Sequence, residues 1–306
     1  MLTRRRFIAI SAALAPSLAL AGTGLGTAPH VETGIALGAY VTLRLHHPDA
    51  PRLAALAMTE IRRLEAIFSI YLPGSELSRL NRDGTLATPP FELLDCLSLA
   101  GAVHTASGGR FDPTVQPLWQ AQALATERGE ALTDQTRAEA RALTGWQHVT
   151  LSTEAITLRP GMALTLNGIA QGYIADRVAA LLSSEGLTHA LIDTGEMVAL
   201  SEAPWPVHLP DREIPLQGRA IATSSPLGMT FGGDGRTSHI IDPGTGRPAV
   251  PLWQSVSISA TSAALADALS TAGCLIEATP QIEALCDHFQ GAALASAIPS
   301  QQVRRL

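Results

Sequence analysis

The chain has 306 residues, of which 46% are apolar, 16% are charged and 4% are aromatic, and its formal net charge is −6. The apolar share excludes an intrinsically disordered chain, and the negative charge argues against nucleic acid as the main partner. All 21 basic residues are arginines. The absence of lysine excludes a Walker-A phosphate loop, a pyridoxal Schiff base and a lysine general base.

The first 21 residues are predicted to be an export signal. Two adjacent arginines, Arg4 and Arg5, precede an apolar stretch over 7–20, and Ala21 closes a small-residue exit. This pattern is typical of a twin-arginine signal, which exports folded proteins. The alternatives are an ordinary secretory signal or an uncleaved anchor. We therefore expect a periplasmic protein with no stable membrane anchor in its mature form.

The rest of the chain is predicted to be a flexible lead-in over 22–32 and one domain over 33–306. Alternating apolar residues predict strands near 41–45, 149–151, 155–158, 190–193, 219–223, 238–241 and 255–259. Helical spacing predicts helices over 51–68, 76–81, 91–107, 169–185 and 262–276, a short helical excursion within 126–146 and a small-residue tail. Because no strict βαβ rhythm appears, we expect an α+β fold with mixed sheets flanked by helices.

The cysteines carry no recognisable site. Cys96, Cys274 and Cys286 are irregularly spaced among apolar residues, and no zinc-type spacing is present. One disulfide is the alternative to three buried free thiols, which the sequence favours.

Polar residues inside glycine-rich turns recur in five segments. Each is weak alone, because Asp-Pro-Gly-Thr-Gly is by default a turn and a lone Asp267 is more often a solvated or capping residue. The segments are Ser69–Asn81, Gly109–Val115, Asn167–Tyr173, Ser238–Gly246 and Ala266–Thr271.

Together and in this order the segments resemble the ApbE-type FAD:protein FMN transferases, from about residue 33 to residue 290. The strongest matches are Tyr71 with Ser75-Glu76-Leu77 and Leu80-Asn81, Phe111-Asp112-Pro113-Thr114-Val115, His239-Ile240-Ile241-Asp242-Pro243, and Ala266-Asp267-Ala268-Leu269 with Thr271.

The resemblance implies an ApbE-like fold with the flavin site in a central cleft. It also implies that the chain splits FAD in the presence of Mg²⁺ and moves the FMN half onto a Thr or Ser hydroxyl of another protein, releasing AMP. Twin-arginine members without a lipid anchor resemble the NosX branch, associated with maturation of nitrous oxide reduction. The implied acceptor is then a periplasmic flavoprotein, either a membrane-bound protein of the NosR kind or an electron-transport subunit.

The same resemblance assigns the metal to Gly168, Asp267 and Thr271. Asp267 and Thr271 are four residues apart on a predicted helix and therefore face one side of it. A small residue at Gly168 lets the backbone carbonyl approach the ion closely. Magnesium prefers such hard oxygen ligands, and it neutralises charge that develops on a breaking pyrophosphate. The alternative for Thr271 is a hydrogen bond to the carbonyl of Asp267.

The flavin side is assigned by resemblance as well. An aromatic face at Tyr71 suits stacking on the isoalloxazine ring, although a loop tyrosine packed on the core is the alternative. Asp112 lies in a segment that contacts FAD in the family, and it could equally cap the next turn. The full set is Leu37, Tyr71, Arg110, Phe111, Asp112, Thr165, Gln171, His239 and Ile241.

His239 and Asp267 are the predicted catalytic residues. A neutral imidazole at His239 could relay the proton of the acceptor hydroxyl, and a charged one could stabilise the phosphate. A strand histidine bonded to a backbone partner is the alternative.

Several stretches depart from the family's usual pattern, and they keep other functions open. Intact Asp267, Thr271 and His239 favour a transferase, whereas the loss of an acid at Thr165 and of a cation at Gln171 favours a non-catalytic flavin carrier. Hydrolysis of FAD to FMN and AMP is a third possibility. The other departures are Leu37-Gly38-Ala39 for Met-Gly-Thr, Thr194-Gly195-Glu196 for Gly-Gly-Asp and Thr223-Ser224-Ser225 for Thr-Ser-Gly.

Overall fold

The structure is a computed structural model that describes residues 28–200, 203–232 and 235–301. The export signal predicted over 1–21 lies outside the described residues. The first strand begins at His30 and pairs with Leu45 in the next strand. The last three residues of the lead-in predicted over 22–32 are therefore part of the sheet.

Six α-helices of the described residues precede strand β6 (Ala190–Asp193), and two lie between β15 (Trp253–Ala260) and β16 (Ala293–Pro299). No helix among the described residues has both the length and the apolar character needed to span a membrane. The helices are α1 (Ala50–Phe68), α2 (Glu76–Asp83), α3 (Phe91–Ala106), α4 (Gln116–Glu127), α5 (Asp134–Arg141), α6 (Ala170–Ser184), α7 (Ala263–Gly273) and α8 (Thr279–Cys286).

The strands vary from two to eight residues in length. They are β1 (His30–Ala36), β2 (Ala39–Leu45), β3 (Thr85–Ala87), β4 (Val149–Leu151), β5 (Ala155–Leu158), β6 (Ala190–Asp193), β7 (Met197–Ala199), β8 (Trp205–His208), β9 (Glu213–Leu216), β10 (Arg219–Ser224), β11 (Thr230–Phe231), β12 (Thr237–Ser238), β13 (Ile241–Asp242), β14 (Arg247–Pro248), β15 (Trp253–Ala260) and β16 (Ala293–Pro299).

Seven of the strands form one sheet in the order β1-β2-β6-β7-β10-β15-β16. Every neighbouring pair in it is antiparallel, which is more uniform than the expected mixed sheets. The α+β class is confirmed. Because successive strand residues face opposite sides, Leu43 and Ile192 contribute to the main core with the helices, whereas Leu191 and Ile221 pack against Trp205 of the β8–β9 hairpin.

The turn between β1 and β2 contains an unusual backbone conformation. Leu37 and Gly38 have φ angles of 49° and 82°, and Ala36 pairs with Ala39 across this two-residue turn. Positive φ at both positions is typical of a type I′ hairpin turn, and it is uncommon for leucine. The N–H of Leu37 donates to Oε1 of Glu65 at 3.1 Å, which helps to hold the turn.

Helices α6 and α7 approach each other closely at Gly172. A Cβ built on Gly172 would lie 2.2 Å from the carbonyl oxygen of Ala263, so no larger residue fits there without backbone movement. One turn along α6, Asp176 accepts the N–H groups of Ala263 and Ala264 at 2.7 and 2.9 Å and the hydroxyl of Ser262 at 2.7 Å. These bonds satisfy the free N–H groups at the start of α7 and fix the helix pair.

Three predicted elements need correction. The strand predicted over 238–241 is two separate short strands, β12 and β13, with His239 and Ile240 between them. The predicted small-residue tail contains α8 and β16, which pairs with β15 although alanine and serine have weak strand propensity. Helix α4 covers Gln116–Glu127. The sequence predicted a helical excursion only within 126–146, so nearly all of this helix was missed.

The three cysteines are buried free thiols, as the sequence favoured. Burial raises the pKa of Cys96 and Cys274 well above the usual range and that of Cys286 to about 11. Such thiols are poor nucleophiles at neutral pH.

Candidate active site

Asp267 and Thr271 lie one turn apart on α7, beside the first turn of α6. Asp267 is 3% exposed, and its Oδ2 accepts the N–H of Gly172 at 3.4 Å. Burial raises the pKa of Asp267 to about 8; the hydrogen bond from Gly172 opposes this shift, and the charge of Asp176 adds to it. A carboxylate in this position is strongly stabilised by any cation that binds next to it.

Gly168 lies directly against Thr271. A Cβ built on Gly168 would be 3.0 Å from Oγ1 of Thr271 and 3.4 Å from the ring of Phe111. Oγ1 of Thr271 is 3.2 Å from Oγ of Ser224, whose other neighbour is Oγ of Ser270 at 2.7 Å. It is Ser270, rather than Thr271, that donates to the Asp267 carbonyl, at 3.0 Å. The hydrogen bond to the Asp267 carbonyl, which was the alternative predicted for Thr271, is therefore made by Ser270.

These residues fit a magnesium ion. A carboxylate, a hydroxyl and a backbone segment without a side chain supply hard oxygens to one small region. No ion pair links Asp267 to an arginine or histidine among the described residues. The part of the chain that the structure describes also has no cluster of three histidine, cysteine or acidic residues. Magnesium keeps several waters and takes further ligands from phosphate, so it needs few ligands from the protein.

Tyr71 lies beside the loop that contains Gly168. Nδ2 of Asn167 donates to the Tyr71 hydroxyl at 3.4 Å, and the N–H of Tyr71 donates to Oγ of Ser69 at 3.1 Å. Burial raises the pKa of Tyr71 to about 12, so its hydroxyl stays protonated at neutral pH. The predicted flavin-side aromatic residue and the predicted metal residues thus border the same loop.

Asp112 caps the short helical turn 113–115. Its Oδ1 accepts the N–H and the hydroxyl of Thr114 at 2.8 and 2.6 Å, which is the capping alternative. Oδ2 is 3.8 Å from Nδ1 of His104. The carbonyl of Pro113 accepts the N–H of Thr165 at 2.8 Å. This bond joins the Phe111–Asp112 segment to the Gly168 loop.

Thr165 and Gln171, the two altered positions, belong to the same network. Oγ1 of Thr165 accepts the N–H of Asn167 at 3.3 Å. The backbone carbonyl of Gln171 accepts a hydrogen bond from the Thr194 hydroxyl at 2.8 Å. The side chain of Gln171 would lie 3.1 Å from a Cβ built on Gly195. Both side chains therefore border the loops of the site.

Three other predicted flavin-side residues make their contacts elsewhere. Leu37 bonds to Glu65, as described above. Arg110 is exposed, and its Nη1 donates to the carbonyl of Ser107 at 3.1 Å. The side chain of Ile241 is 4% exposed and packs in a small apolar cluster with Phe231.

His239 is bonded to the backbone of the loop that follows β10. The ring Nδ1 is 2.9 Å from the carbonyl oxygen of Met229, and the backbone N–H of His239 donates to the same oxygen at 3.3 Å. Burial lowers the pKa of His239, and its backbone contacts with Met229 and Pro226 oppose the shift. The hydrogen bond to the backbone that the alternative predicted is thus present, and the lowered pKa favours a neutral imidazole at neutral pH.

A sequence model of the ApbE family matches residues 37–294. The chain belongs to the ApbE family. An FAD:protein FMN transferase of Vibrio cholerae is 30% identical over 287 residues, which cover 85% of each chain. The enzyme of the same name from Salmonella typhimurium is 29% identical over 277 residues, covering 81% of this chain and 79% of the relative.

Solved structures of ApbE proteins share the fold. The flavin transferase ApbE from Vibrio cholerae superposes with a TM-score of 0.73 at 25% identity, covering 90% of this chain and 98% of that chain. The ApbE protein from Thermotoga maritima gives a TM-score of 0.77 at 26% identity, with 90% and 98% covered. The expected ApbE-like fold is confirmed.

The site of this ApbE chain includes four polar residues that were not predicted as site residues. Asn167 and Ser270 directly precede Gly168 and Thr271, so their positions next to predicted residues were a usable signal. Ser224 and Glu196 stood out in the sequence only as departures from the family's pattern. Nothing in the sequence alone brings their strands against α7.

Proposed function

We propose that this chain transfers the FMN half of FAD to a Thr or Ser hydroxyl of an acceptor protein, releasing AMP, at a site that holds Mg²⁺. The observation that carries the proposal is the position of buried Asp267 and Thr271 against the loop of Gly168. Curated relatives named FAD:protein FMN transferase support the same reaction.

The metal-side residues would hold the ion against the diphosphate. Asp267 and Thr271 would bind it through side-chain oxygens, and Gly168 through its carbonyl. A bound magnesium ion would neutralise the charge that develops on the phosphate oxygens as the pyrophosphate bond breaks. Because Asp267 is buried, its charge acts in a poorly solvated environment, where electrostatic stabilisation is stronger than in water.

The reaction forms one bond and breaks one. The acceptor hydroxyl oxygen bonds to the phosphorus of the FMN half, the P–O bond to the AMP half breaks, and AMP leaves. The hydroxyl proton must move to a base. We assign it to His239, the histidine that the family resemblance implies. The carbonyl of Met229 can only accept, so Nδ1 of the neutral imidazole donates to it and Nε2 is left to accept a proton.

Tyr71 would bind the flavin ring. Its hydroxyl contacts Asn167 of the Gly168 loop, and stacking of its ring on an isoalloxazine would place the diphosphate towards the metal residues. Phe111 packs against the same loop, since its ring would lie 3.4 Å from a Cβ on Gly168.

A flavin carrier is the second candidate function. Thr165 and Gln171 lack the charges that the family usually has at these positions, which would weaken charged contacts with FAD without preventing binding of the flavin ring. A carrier would bind FAD but leave it intact, whereas an FAD hydrolase would release FMN and AMP into solution without an acceptor.

The deciding experiment combines the purified protein, FAD, Mg²⁺ and a candidate acceptor. We expect the acceptor mass to increase by one FMN group, with one AMP released per acceptor. EDTA should stop the transfer, and added magnesium should restore it. FAD that stays intact with every acceptor would favour the carrier, and AMP released without acceptor labelling would favour the hydrolase.

We also propose that the protein is exported in folded form and acts on a periplasmic flavoprotein, membrane-bound or part of an electron-transport complex. Replacing Arg4 and Arg5 together by lysine should trap the precursor in the cytoplasm. Periplasmic delivery of this variant at the normal level would instead indicate an ordinary secretory signal.

A further inference from the structure

Glu196 is a buried acid between β6 and β7. It directly precedes β7 and is 7% exposed. Val198, two residues later, lies in the main core together with Ala222 of the neighbouring strand β10. Glu196 therefore lies at the end of a strand whose next inward-facing residue packs in the main core.

The contacts of Glu196 lead directly to the metal-side residues. Its Oε2 accepts the N–H of Thr223 at 3.1 Å. The next residue on this strand is Ser224, whose hydroxyl is 3.2 Å from that of Thr271. The carboxylate of Glu196 and the Thr271 hydroxyl therefore border the same end of β10.

Glu196 also ends the turn that lies against the start of α6: the hydroxyl of Thr194 in this turn donates to the carbonyl of Gln171 at 2.8 Å, and Asp267 accepts the N–H of the next residue, Gly172. Burial raises the pKa of Glu196 well above its usual range, and the charge of Asp267 is the next largest cause of this shift. Neither acid forms an ion pair with an arginine or histidine among the described residues. Two buried carboxylates in one region are costly unless protons or a cation neutralise them.

We propose that Glu196 is the second carboxylate of the magnesium site, acting with Asp267. This inference rests on the proposed function, since it concerns the same ion. Magnesium is usually bound by one or two carboxylates, and Oε1 of Glu196 has no hydrogen-bond partner among the described residues, whereas Oε2 is bonded to Thr223. A second charge would balance the ion more fully than Asp267 and neutral oxygens can.

The test compares Glu196→Gln with a matched control, Asp193→Asn. Glutamine keeps an oxygen that can accept the Thr223 N–H but removes the charge. Asp193 lies three residues earlier, and its Oδ1 accepts the Gly195 N–H at 3.0 Å, which asparagine can also do. Its neighbour Ile192 faces the main core, so Asp193 faces the other side of the sheet. The charge of Asp193 also raises the pKa of Glu196. The control therefore removes an equal charge that acts on Glu196 from the other side of the sheet, and it tests whether this electrostatic effect alone changes magnesium binding.

Binding of MgCl₂ to EDTA-treated protein is measured by calorimetry, with ADP as the diphosphate probe, and by the shift in melting temperature. We expect Asp193→Asn to bind like the wild type and Glu196→Gln to bind about 10- to 100-fold more weakly. The melting-temperature shift caused by magnesium should shrink in Glu196→Gln only. Glu196→Asp, which keeps the charge on a shorter side chain, should recover part of the affinity.

Other outcomes separate this inference from the proposed function. If Glu196 only shares a proton with Asp267, Glu196→Gln will bind magnesium like the wild type, and the inference is wrong while the metal site stands. Equal losses in Asp193→Asn and Glu196→Gln would indicate a general effect of charge and would also overturn it. If Glu196→Gln does not fold, normal magnesium affinity in Glu196→Asp and Glu196→Ala overturns it. A wild type that binds no magnesium removes both the metal assignment and this inference.

Discussion

Asp267 and Thr271 share one face of α7, whereas Tyr71, Asp112 and His239 lie on three separate loops. The first pair is positioned by helix geometry and by the close contact of α6 with α7 at Gly172. The loop residues depend instead on hydrogen bonds to local groups. The metal side should therefore be sensitive to packing changes, and the flavin side to the loss of single contacts.

Gly172→Ala is the most damaging change that we expect on the helical side. Its Cβ would lie 2.2 Å from the carbonyl oxygen of Ala263, and backbone at that distance cannot move away cheaply. We expect the free energy of unfolding to fall by more than about 3 kcal/mol, at the upper end for overpacked sites. Urea denaturation measures this. Gly74→Ala is the control, because no atom lies within 4 Å of its Cβ position; equal losses in both variants would contradict the packing argument.

The contrast also explains how far the sequence could predict the site. Spacing of four residues is enough to place Asp267 and Thr271 together, and the small residue at Gly168 indicated a close approach of backbone. Neither spacing nor composition could predict that Ser224 reaches α7 or that Glu196 accepts the Thr223 N–H, because both contacts depend on the order of strands in the sheet. The same limit applies to β16, whose small residues become a strand only through pairing with β15.

Loop residues were harder to predict for another physical reason. Asp112 and His239 each have a local backbone partner, and a sequence motif does not distinguish a capping or backbone-bonded side chain from one that contacts a ligand. Ile241 also lies within a matching motif, and its side chain packs in an apolar cluster. The motif does not show which way this side chain points.

Asp267→Asn tests the helical side through catalysis. The amide keeps the shape and can still accept the Gly172 N–H, but it removes the charge that would bind the ion. We expect transfer of FMN to fall at least about 100-fold, equivalent to about 2.7 kcal/mol of barrier. Metal-free binding of FAD should hardly change. Transfer rates from acceptor mass and FAD titration measure the two quantities, and normal transfer in this variant would remove Asp267 from the metal site.

Thr271→Val is the companion change, with a smaller expected effect. Valine has a similar shape but no hydroxyl, and water can replace a neutral ligand at modest cost. Its transfer rate should therefore lie between those of the wild type and Asp267→Asn. A larger loss in Thr271→Val than in Asp267→Asn would show that the hydroxyl, rather than the carboxylate, dominates this side.

Tyr71→Ala tests the flavin side. If its ring stacks on the isoalloxazine, FAD binding should weaken by roughly 1 to 3 kcal/mol, the range for bases stacked on aromatic side chains. Tyr71→Phe keeps the ring and loses only the contact with Asn167, so it should bind FAD nearly as well as the wild type. Fluorescence titration with FAD measures both. A loss in Tyr71→Phe as large as that in Tyr71→Ala would assign the effect to the hydroxyl and its loop.

The smallest effect is expected at His239 and appears in the pH dependence of stability. Burial lowers the pKa of His239 from its usual 6.5. Below about pH 6.5 the unfolded chain therefore binds more protons at this residue than the folded protein, and stability is lost as the pH falls. In His239→Gln this contribution disappears, so the variant should lose less free energy of unfolding than the wild type between about pH 7.5 and about pH 5.5. Denaturant unfolding of metal-free protein at both pH values measures the difference. Equal losses in the two proteins would mean that folding does not lower the pKa of His239.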